Sequence, residues 1–485
     1  MSETFLGIDV GTSGVKAVLT DEAGGVVEQA TAPLTASRPR PGWSEQNAAD
    51  WWRATNVAVS RLSERGRRGV RAVGLSGQMH GATLLDAKDE VLRPAILWND
   101  GRSAAQCETL LRREPRTYEI TGNLVFPGFT APKLVWVSEH EPDVFAQVAK
   151  VLLPKDYVRL LMTGAYSTDM SDASGTSWLA VGERAWSDAM LDATGLPLSA
   201  MPEAFEGSDV TGMLLPDVAA AWGMDPVPVA GGGGDNAAGA VGSGVTGPGD
   251  AFLSLGTSGV IFAAGDGFAP NPERGVHAFC HALPGRWHEM TVMLSAAACV
   301  DWAARLVGAA DAGGLVVLAE KARKASVPLF LPYLSGERTP HNDATARGVL
   351  FGMDHDTGPA EIARAVLEGV ALGFADGLGV LSDAGATTRL AVIGGGSRST
   401  LWGRILASAL DRPLGYHEGA EVGPAYGAAR LAALSVGGDP ERVLAAQPLL
   451  SVSEPDPAMV TSLAEKRDRF ARLYAQTRDL FQGAS

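Results

Sequence analysis

The tetrapeptide Gly-Thr-Ser-Gly occurs twice in this chain, at 11–14 and at 256–259, and each copy follows a short apolar run. The residues on either side predict two strands joined by a tight hairpin. Glycine lets the backbone turn sharply and approach a ligand, and successive N–H groups in such a turn form a concave site for anions. One such hairpin is commonly only structural, but its repetition favours a pair of phosphate loops.

The pattern around the two hairpins predicts one fold used twice. A chain of 485 residues is too long for one ordinary core, so two large domains are expected. Strand-like and amphipathic helical stretches recur in both halves, at 4–34, 48–65 and 70–77, and again at 250–265, 359–385 and 389–395, with a further helix from Leu401. We therefore predict α/β domains at 1–246 and 247–485 that arose by internal duplication.

Composition excludes several classes of protein. The net charge of −15 argues against nucleic acid or an anionic membrane as the main partner. Three cysteines fit a reducing compartment better than a disulfide framework. No secretory signal is visible, and the uncharged run between Asp250 and Asp266 is too short to span a bilayer. A cytoplasmic protein is expected, with the oligomeric state open and a homodimer as one option.

Two carboxylates stand beside glycine-rich turns. Asp9 precedes the first hairpin by two residues, where it could hold Mg²⁺, often through water, or simply stabilise a turn. Asp235 and Asn236 follow four glycines and precede a run of small residues, which predicts an acid that projects into a cleft. The glycines at 394–396 lie between a strand and a helix, an arrangement that would let a flat ring lie against the backbone.

Other nucleotide and catalytic motifs are absent or out of context. The sequence has no Gly-x-x-x-x-Gly-Lys-Ser/Thr loop and no Gly-x-Ser-x-Gly elbow. The match "GSGVTG" at 242–247 follows a helix and precedes a strand, the reverse of the dinucleotide-binding order. His277, Cys280, His281 and His288 have no common zinc spacing, so a strand with aromatic and histidine packing is favoured over a zinc site.

Taken together, these features resemble the sugar kinases of the FGGY family, which have the actin-like (ribonuclease H-like) ATPase fold. The resemblance covers nearly the whole chain. The segments "GFTAPKLVW" (128–136) and "GVLFGMDHDTGPAEIARAVLE" (348–368) resemble the two family signatures. Segments similar to those of the family's bacterial xylulokinases lie at 76–86, 96–102, 120–124, 153–157 and 331–342. The fold that this implies is two actin-like domains with ATP bound in the cleft between them.

The resemblance also implies roles for individual residues. Asp235 matches the catalytic base, and Asp9 matches the acid that organises Mg²⁺. The implied ATP contacts are Thr12 and Ser13 in the first loop, Gly256 and Thr257 in the second, and Gly394, Gly395 and Ser399 in the adenosine motif. The implied sugar contacts are Met79, His80 and Asn236, with Gln78, Asn99 and Asp100 as weaker candidates.

The implied reaction is the transfer of phosphate from ATP to D-xylulose, with Mg²⁺ as cofactor, in D-xylose catabolism. Another kinase of the family, acting on ribulose, gluconate or glycerol, is the nearest alternative. An actin-like ATPase that acts as a chaperone or filament is more distant, because it has no obvious need for Asp235 in a glycine-lined cleft. A third alternative is a non-catalytic actin-like protein that binds sugar or ATP, and the intact Asp235 and both hairpins argue against it.

Overall fold

A computed structural model describes residues 3–382, 386–394, 399–418 and 423–481. The first half contains a seven-stranded mixed sheet. The three N-terminal strands form an antiparallel meander, and Thr4–Val10 also pairs in parallel with Val70–Gly77. In spatial order the strands are Val210–Met213, Pro228–Ala230, Val70–Gly77, Thr4–Val10, Gly14–Asp21 and Val26–Pro33, with Gly233–Gly234 beside Val70–Gly77.

The second half repeats this arrangement. The strands on either side of the second hairpin and Trp287–Met293 form an antiparallel meander, and Ala251–Leu255 pairs in parallel with Leu390–Ile393. The order across this sheet is His277–Cys280, Trp287–Met293, Gly259–Gly265, Ala251–Leu255, Leu390–Ile393, Leu414–His417 and Leu449–Ser453. In both halves the hairpin joins the first two strands, so the predicted duplication of one α/β design is confirmed.

Helices cover both sheets. The core of the first half lies between its sheet and Ala48–Ser60, Pro154–Thr163 and Pro216–Trp222. The larger core of the second half is formed with Ala297–Val307, Ala312–Ala319, Pro359–Leu378, Thr400–Leu410 and Pro457–Phe481. Among the described residues no single helix is long and apolar enough to cross a bilayer, and Ala297–Val307 and Ala312–Ala319 meet that test only as a pair bent by 76°.

A smaller third core extends from the first half. It includes Leu84, Trp136 and Trp178. The helices and short strands that contribute side chains to it are Thr83–Leu85, Ala95–Ile96, Ala104–Arg113, Thr117–Thr121, Thr130–His140, Pro142–Phe145, Lys150–Leu152, Ala185–Trp186 and Asp188–Thr194. Further short elements in the same stretch of chain are Ser167–Asp169, Met170–Ala173, Leu179–Ala180 and Glu203–Phe205. The strand Val70–Gly77 leads from the main sheet into this region.

The helix Pro424–Ser435 belongs to the second half of the sequence but packs on the sheet of the first. A Cβ atom at Gly7 would lie 1.8 Å from the carbonyl oxygen of Ala425, and one at Gly74 would lie 1.9 Å from that of Ala428. Only glycine allows this backbone approach, so these two positions fix how the halves join. The division at 246/247 stays a prediction, since this helix crosses it in space.

Two predicted helices are shorter in the structure. The helix expected at 48–65 ends at Ser60, because the Ser63 hydroxyl accepts the Gly66 N–H and begins a second short helix, Glu64–Arg68. The helix expected at 359–385 covers Pro359–Leu378. The strand predicted at 70–77 has the expected bounds.

Candidate active site

Asp235 is the first residue of the helix Asp235–Ser243, which lies between the two sheets and packs against Pro424–Ser435. Its Oδ1 accepts hydrogen bonds from the Asn236 backbone N–H (2.7 Å) and from Asn236 Nδ2 (2.9 Å). Burial raises the pKa of Asp235 to about 6, although the two bonds from Asn236 act to lower it. The side chain is therefore an ionised acceptor at neutral pH with a pKa close to the range of a general base.

Asp9 lies near Asp235 at the end of the strand Thr4–Val10. Burial and the charge of Asp235 raise the pKa of Asp9 to about 7. Its Oδ1 is buried and has no hydrogen-bond partner among the described residues. An unpartnered carboxylate oxygen beside a second acid suits a hard divalent cation held by one or two carboxylates and by substrate phosphates. The residues present therefore fit Mg²⁺.

The first hairpin is tied to the loop after the strand Val70–Gly77. The Thr12 hydroxyl donates to Gln78 Oε1 (2.7 Å) and accepts from Trp98 Nε1 (3.0 Å). Gln46 Nε2 donates to the Thr12 carbonyl, and Gln78 Nε2 donates to Gln46 Oε1. The predicted ATP contact of Thr12 stays a prediction, because its hydroxyl already bonds to residues of the predicted sugar side.

Ser13 lies at the exposed tip of the same turn, and its carbonyl accepts the Leu34 N–H.

The second hairpin is anchored differently. The Gly256 carbonyl accepts the Ala297 N–H (2.9 Å), and the Thr257 carbonyl accepts the Ala296 N–H (2.9 Å). The Thr257 side chain is exposed at the tip of the loop, as its predicted role in phosphate binding requires.

Met79 lies against the glycine tract that carries Asp235, and the neighbouring His80 lies against Gly175. A Cβ atom at Gly234 would lie 2.9 Å from Met79 Cγ, and one at Gly175 would lie 2.5 Å from His80 Nδ1. The His80 ring stacks on Phe129 with 4.7 Å between ring centroids. The predicted sugar contact Met79 thus lies beside the glycine that precedes the predicted base, and His80 follows Met79 in the chain.

His80 is held in a strained, neutral state. Its φ is 69°, in the left-handed region, and its carbonyl accepts hydrogen bonds from Lys133 Nζ (2.8 Å) and the Thr130 hydroxyl (3.2 Å). Burial lowers the pKa of His80 to about 3. Since Nδ1–H donates to the Gly175 carbonyl (2.6 Å), Nε2 carries the lone pair and can accept a hydrogen bond from a hydroxyl group.

The weaker sugar candidates have different surroundings. Gln78 is buried and bonded as described above. Asp100 is buried, and its oxygens accept the Ser44 N–H and a bidentate pair from Arg102. Asn99 is exposed. Their contacts with sugar stay predictions, and the Asp100 geometry is that of a loop-holding ion pair.

Sequence reasoning missed Arg338, which approaches this region from the second half, whereas the aromatic packing predicted for His277 is confirmed. The Arg338 guanidinium lies 4.2 Å from the centroid of Phe126, and its Nη1 donates to His277 Nε2 (3.4 Å). Phe126 and His277 both pack against Phe129, the ring that stacks on His80. The motif at 331–342 contained the signal for Arg338, but sequence spacing alone does not show that it reaches the other half.

A cavity of about 240 Å³ opens beside Asp235 and extends along the second sheet. Its lining includes Phe252, Val392, Ile393, His417 and Tyr426. The mixture of apolar walls and a few polar groups suits a nucleoside.

The predicted adenosine motif lies next to this cavity. Gly394 follows Ile393 with φ 93°, and a Cβ atom there would lie 2.8 Å from the Leu255 carbonyl oxygen. Gly395 lies outside the described residues. The Ser399 hydroxyl accepts the Trp402 N–H (3.1 Å) and so caps the helix Thr400–Leu410. The adenosine contacts of these residues stay predictions.

The histidine-rich segment forms packing contacts. His288 stacks on Phe262 at 4.1 Å between centroids, and His281 Nε2 lies 3.1 Å from the Val245 carbonyl oxygen. In the part of the chain that the structure describes, no group of three or more His, Cys, Asp or Glu side chains is placed to hold a metal ion.

Comparison with known proteins gives matches over nearly the whole length. Residues 4–242 match the N-terminal domain of the FGGY family of carbohydrate kinases, and residues 251–436 match its C-terminal domain. A curated protein named xylulose kinase from Escherichia coli (strain K12) is 54% identical over 479 residues, which cover 97% of this chain and 99% of that protein.

Solved structures of carbohydrate kinases are also similar to this chain. The crystal structure of a xyloylose kinase from Brucella ovis has a TM-score of 0.95 at 49% identity and covers 99% of this chain and 100% of that one. A gluconate kinase from Lactobacillus acidophilus also has a TM-score of 0.95, at 23% identity and with 100% of both chains covered. The second likeness shows the fold alone.

Proposed function

This chain belongs to the FGGY family of carbohydrate kinases, and from that membership we propose that it transfers the γ-phosphoryl group of ATP to D-xylulose, giving ADP and D-xylulose 5-phosphate. The observation that carries this proposal is the position of Asp235. It lies between the cavity along the second sheet and the His80 loop of the first half. The identity of 54% to a protein named xylulose kinase supports the choice of sugar.

The reaction follows from these positions. The terminal hydroxyl oxygen of the sugar attacks the γ-phosphorus in line, and the bond from that phosphorus to the bridging oxygen of ADP breaks. Asp235 accepts the hydroxyl proton through the carboxylate that Asn236 orients. Phosphoryl transfer has a loose transition state, so positioning and electrostatics contribute most of the rate.

The remaining polar groups bind and orient. Neutral His80 offers Nε2 as an acceptor to a sugar hydroxyl. The two hairpins offer backbone N–H groups to the phosphates. Asp9 would hold Mg²⁺, which when bound offsets negative charge on the phosphates. In this scheme Asp9 and Asp235 have separate tasks although their charges are close.

We place the reaction in the cytoplasm. All three cysteines are free and buried, which suits a reducing compartment that supplies ATP. The homodimer stays a prediction that light scattering on the purified protein tests.

The test is ATP-dependent turnover over a panel of D-xylulose, ribulose, gluconate and glycerol, with product identified by mass spectrometry. D-Xylulose should give the highest kcat/KM. A clear preference for another member of the panel would refute the substrate while leaving the kinase family intact.

A further inference from the structure

Five ionisable side chains are fully buried beneath the glycine tract that carries Asp235. Lys155 Nζ contacts Asp156 Oδ1 (2.5 Å), Asp169 Oδ1 (2.8 Å) and Asp172 Oδ2 (3.1 Å), and Arg159 lies 3.6 Å from Asp156. All five have side chains with no exposure to solvent. Burying such charges is costly and gives little net stability, so a role in fixing geometry is the better explanation.

This ionic cluster holds both ends of the glycine tract. At the start, the Arg159 guanidinium donates to the carbonyls of Ala230 and Gly231. At the end, the Gly234 N–H donates to the Ser171 hydroxyl oxygen (3.0 Å), one residue before Asp235. The Ser171 hydroxyl in turn donates to Asp169 Oδ2. Four consecutive glycines are flexible by themselves, so these bonds set the direction in which the helix begins.

The same segment also holds the predicted sugar side. Gly175, four residues after Ser171, accepts the His80 Nδ1–H through its carbonyl. The Gly77 backbone lies directly on Lys155, where a Cβ atom would be 3.1 Å from Lys155 Cβ. One rigid element therefore contacts the supports of both the base and the sugar-binding histidine.

We propose that Ser171 is a positioning residue for phosphoryl transfer. Its hydroxyl proton is directed to Asp169, which Lys155 holds, and its oxygen lone pair is thereby directed to the Gly234 N–H. The carboxylate of Asp235 is in this way fixed by a chain of bonds that starts in the buried cluster. The proposal rests on the proposed function, because it takes Asp235 as the general base.

The test is a double-mutant cycle with Ser171→Ala and Asp235→Asn, measured as kcat on D-xylulose at saturating ATP. Loss of a positioning contact at a catalytic group typically costs about 10–100-fold, since displacements of about 1 Å are that costly. We expect Ser171→Ala to lower kcat by about 10–100-fold, with the KM for ATP unchanged. In the Asp235→Asn background the same substitution should lower kcat less than about threefold.

Ser167→Ala is the matched control. It removes another buried serine hydroxyl from the same segment, one without a hydrogen-bond partner among the described residues, and should leave kcat unchanged. Ser171→Cys, which keeps the volume but bonds weakly, replaces Ser171→Ala if the alanine variant does not fold, and should show the same dependence on Asp235.

The outcomes separate the two proposals. An equal loss from Ser171→Ala in both backgrounds, or a loss no larger than that of the control, would overturn the positioning role and leave Asp235 as the base. Near-normal turnover by Asp235→Asn alone would overturn the proposed mechanism and the positioning role with it.

Discussion

Asp235→Asn should stabilise the folded protein at alkaline pH while it removes activity. The pKa of Asp235 is raised from 3.8 to about 6, because burial penalises the charged form. Above pH 6 the carboxylate is ionised in both the folded and the unfolded chain, but only the folded chain bears the cost of desolvation. A raised pKa of a carboxyl group therefore means stability that is lost as pH rises.

The size of the effect follows from that displacement. A pKa raised from 3.8 to about 6 corresponds to a gain of at most about 3 kcal/mol in the free energy of unfolding of Asp235→Asn at pH 8. At pH 5 Asp235 is mostly protonated in the folded wild type, and the gain in the free energy of unfolding from Asp235→Asn falls to about half. Asparagine is nearly isosteric and its Oδ1 can still accept the bonds from Asn236. Removing the charge of Asp235 also lowers the pKa of Asp9, and the loss of this repulsion adds to the gain at pH 8.

Equilibrium urea unfolding at pH 8 and pH 5, followed by circular dichroism without nucleotide or sugar, measures the difference. Asp225→Asn, at an exposed loop position, is the matched control and should change the free energy of unfolding by less than about 0.5 kcal/mol. The reasoning would be refuted if Asp235→Asn gave no gain at pH 8, or the same gain at both pH values.

Three further outcomes are expected. kcat/KM for the sugar should fall about tenfold per pH unit below about pH 6, where Asp235 gains a proton, and a flat profile down to pH 5 would contradict its role as base. His80→Ala should lower kcat/KM for the sugar by a factor that corresponds to about 1–3 kcal/mol of lost transition-state stabilisation, because a sugar hydroxyl loses its acceptor. The Kd for ATP, measured by calorimetry, should not change. Thr257→Val should raise the KM for ATP or lower kcat and leave sugar binding intact, whereas unchanged values of both would make the second hairpin purely structural.

The sequence predicted the parts of this molecule that depend on local chemistry. The two Gly-Thr-Ser-Gly turns, the strand Val70–Gly77 and the small-residue helix after Asp235 all depend on short-range patterns of glycine and apolar residues. Such patterns can be recognised in a single sequence, without an alignment of related sequences. The repeated hairpin was sufficient to predict the duplicated fold.

Contacts between residues that are far apart in the sequence could not be predicted from it. The packing of Pro424–Ser435 on the first sheet depends on Gly7 and Gly74, which are far from it in sequence. The approach of Arg338 to Phe126 and the burial of the Lys155 cluster likewise depend on tertiary placement. A charged residue in a sequence is most often on the surface, so pattern alone favours the wrong environment for these groups.

The most direct test of the central claim is single-turnover phosphoryl transfer from γ-labelled ATP to D-xylulose, stopped by acid and compared between the wild type and Asp235→Asn. This measurement isolates the chemical step from product release. The account predicts labelled D-xylulose 5-phosphate from the wild type, and a rate lower by at least about 10²–10⁴-fold from a folded variant that still binds ATP. Transfer by Asp235→Asn at a rate close to that of the wild type, or no transfer to D-xylulose by the wild type, would contradict it.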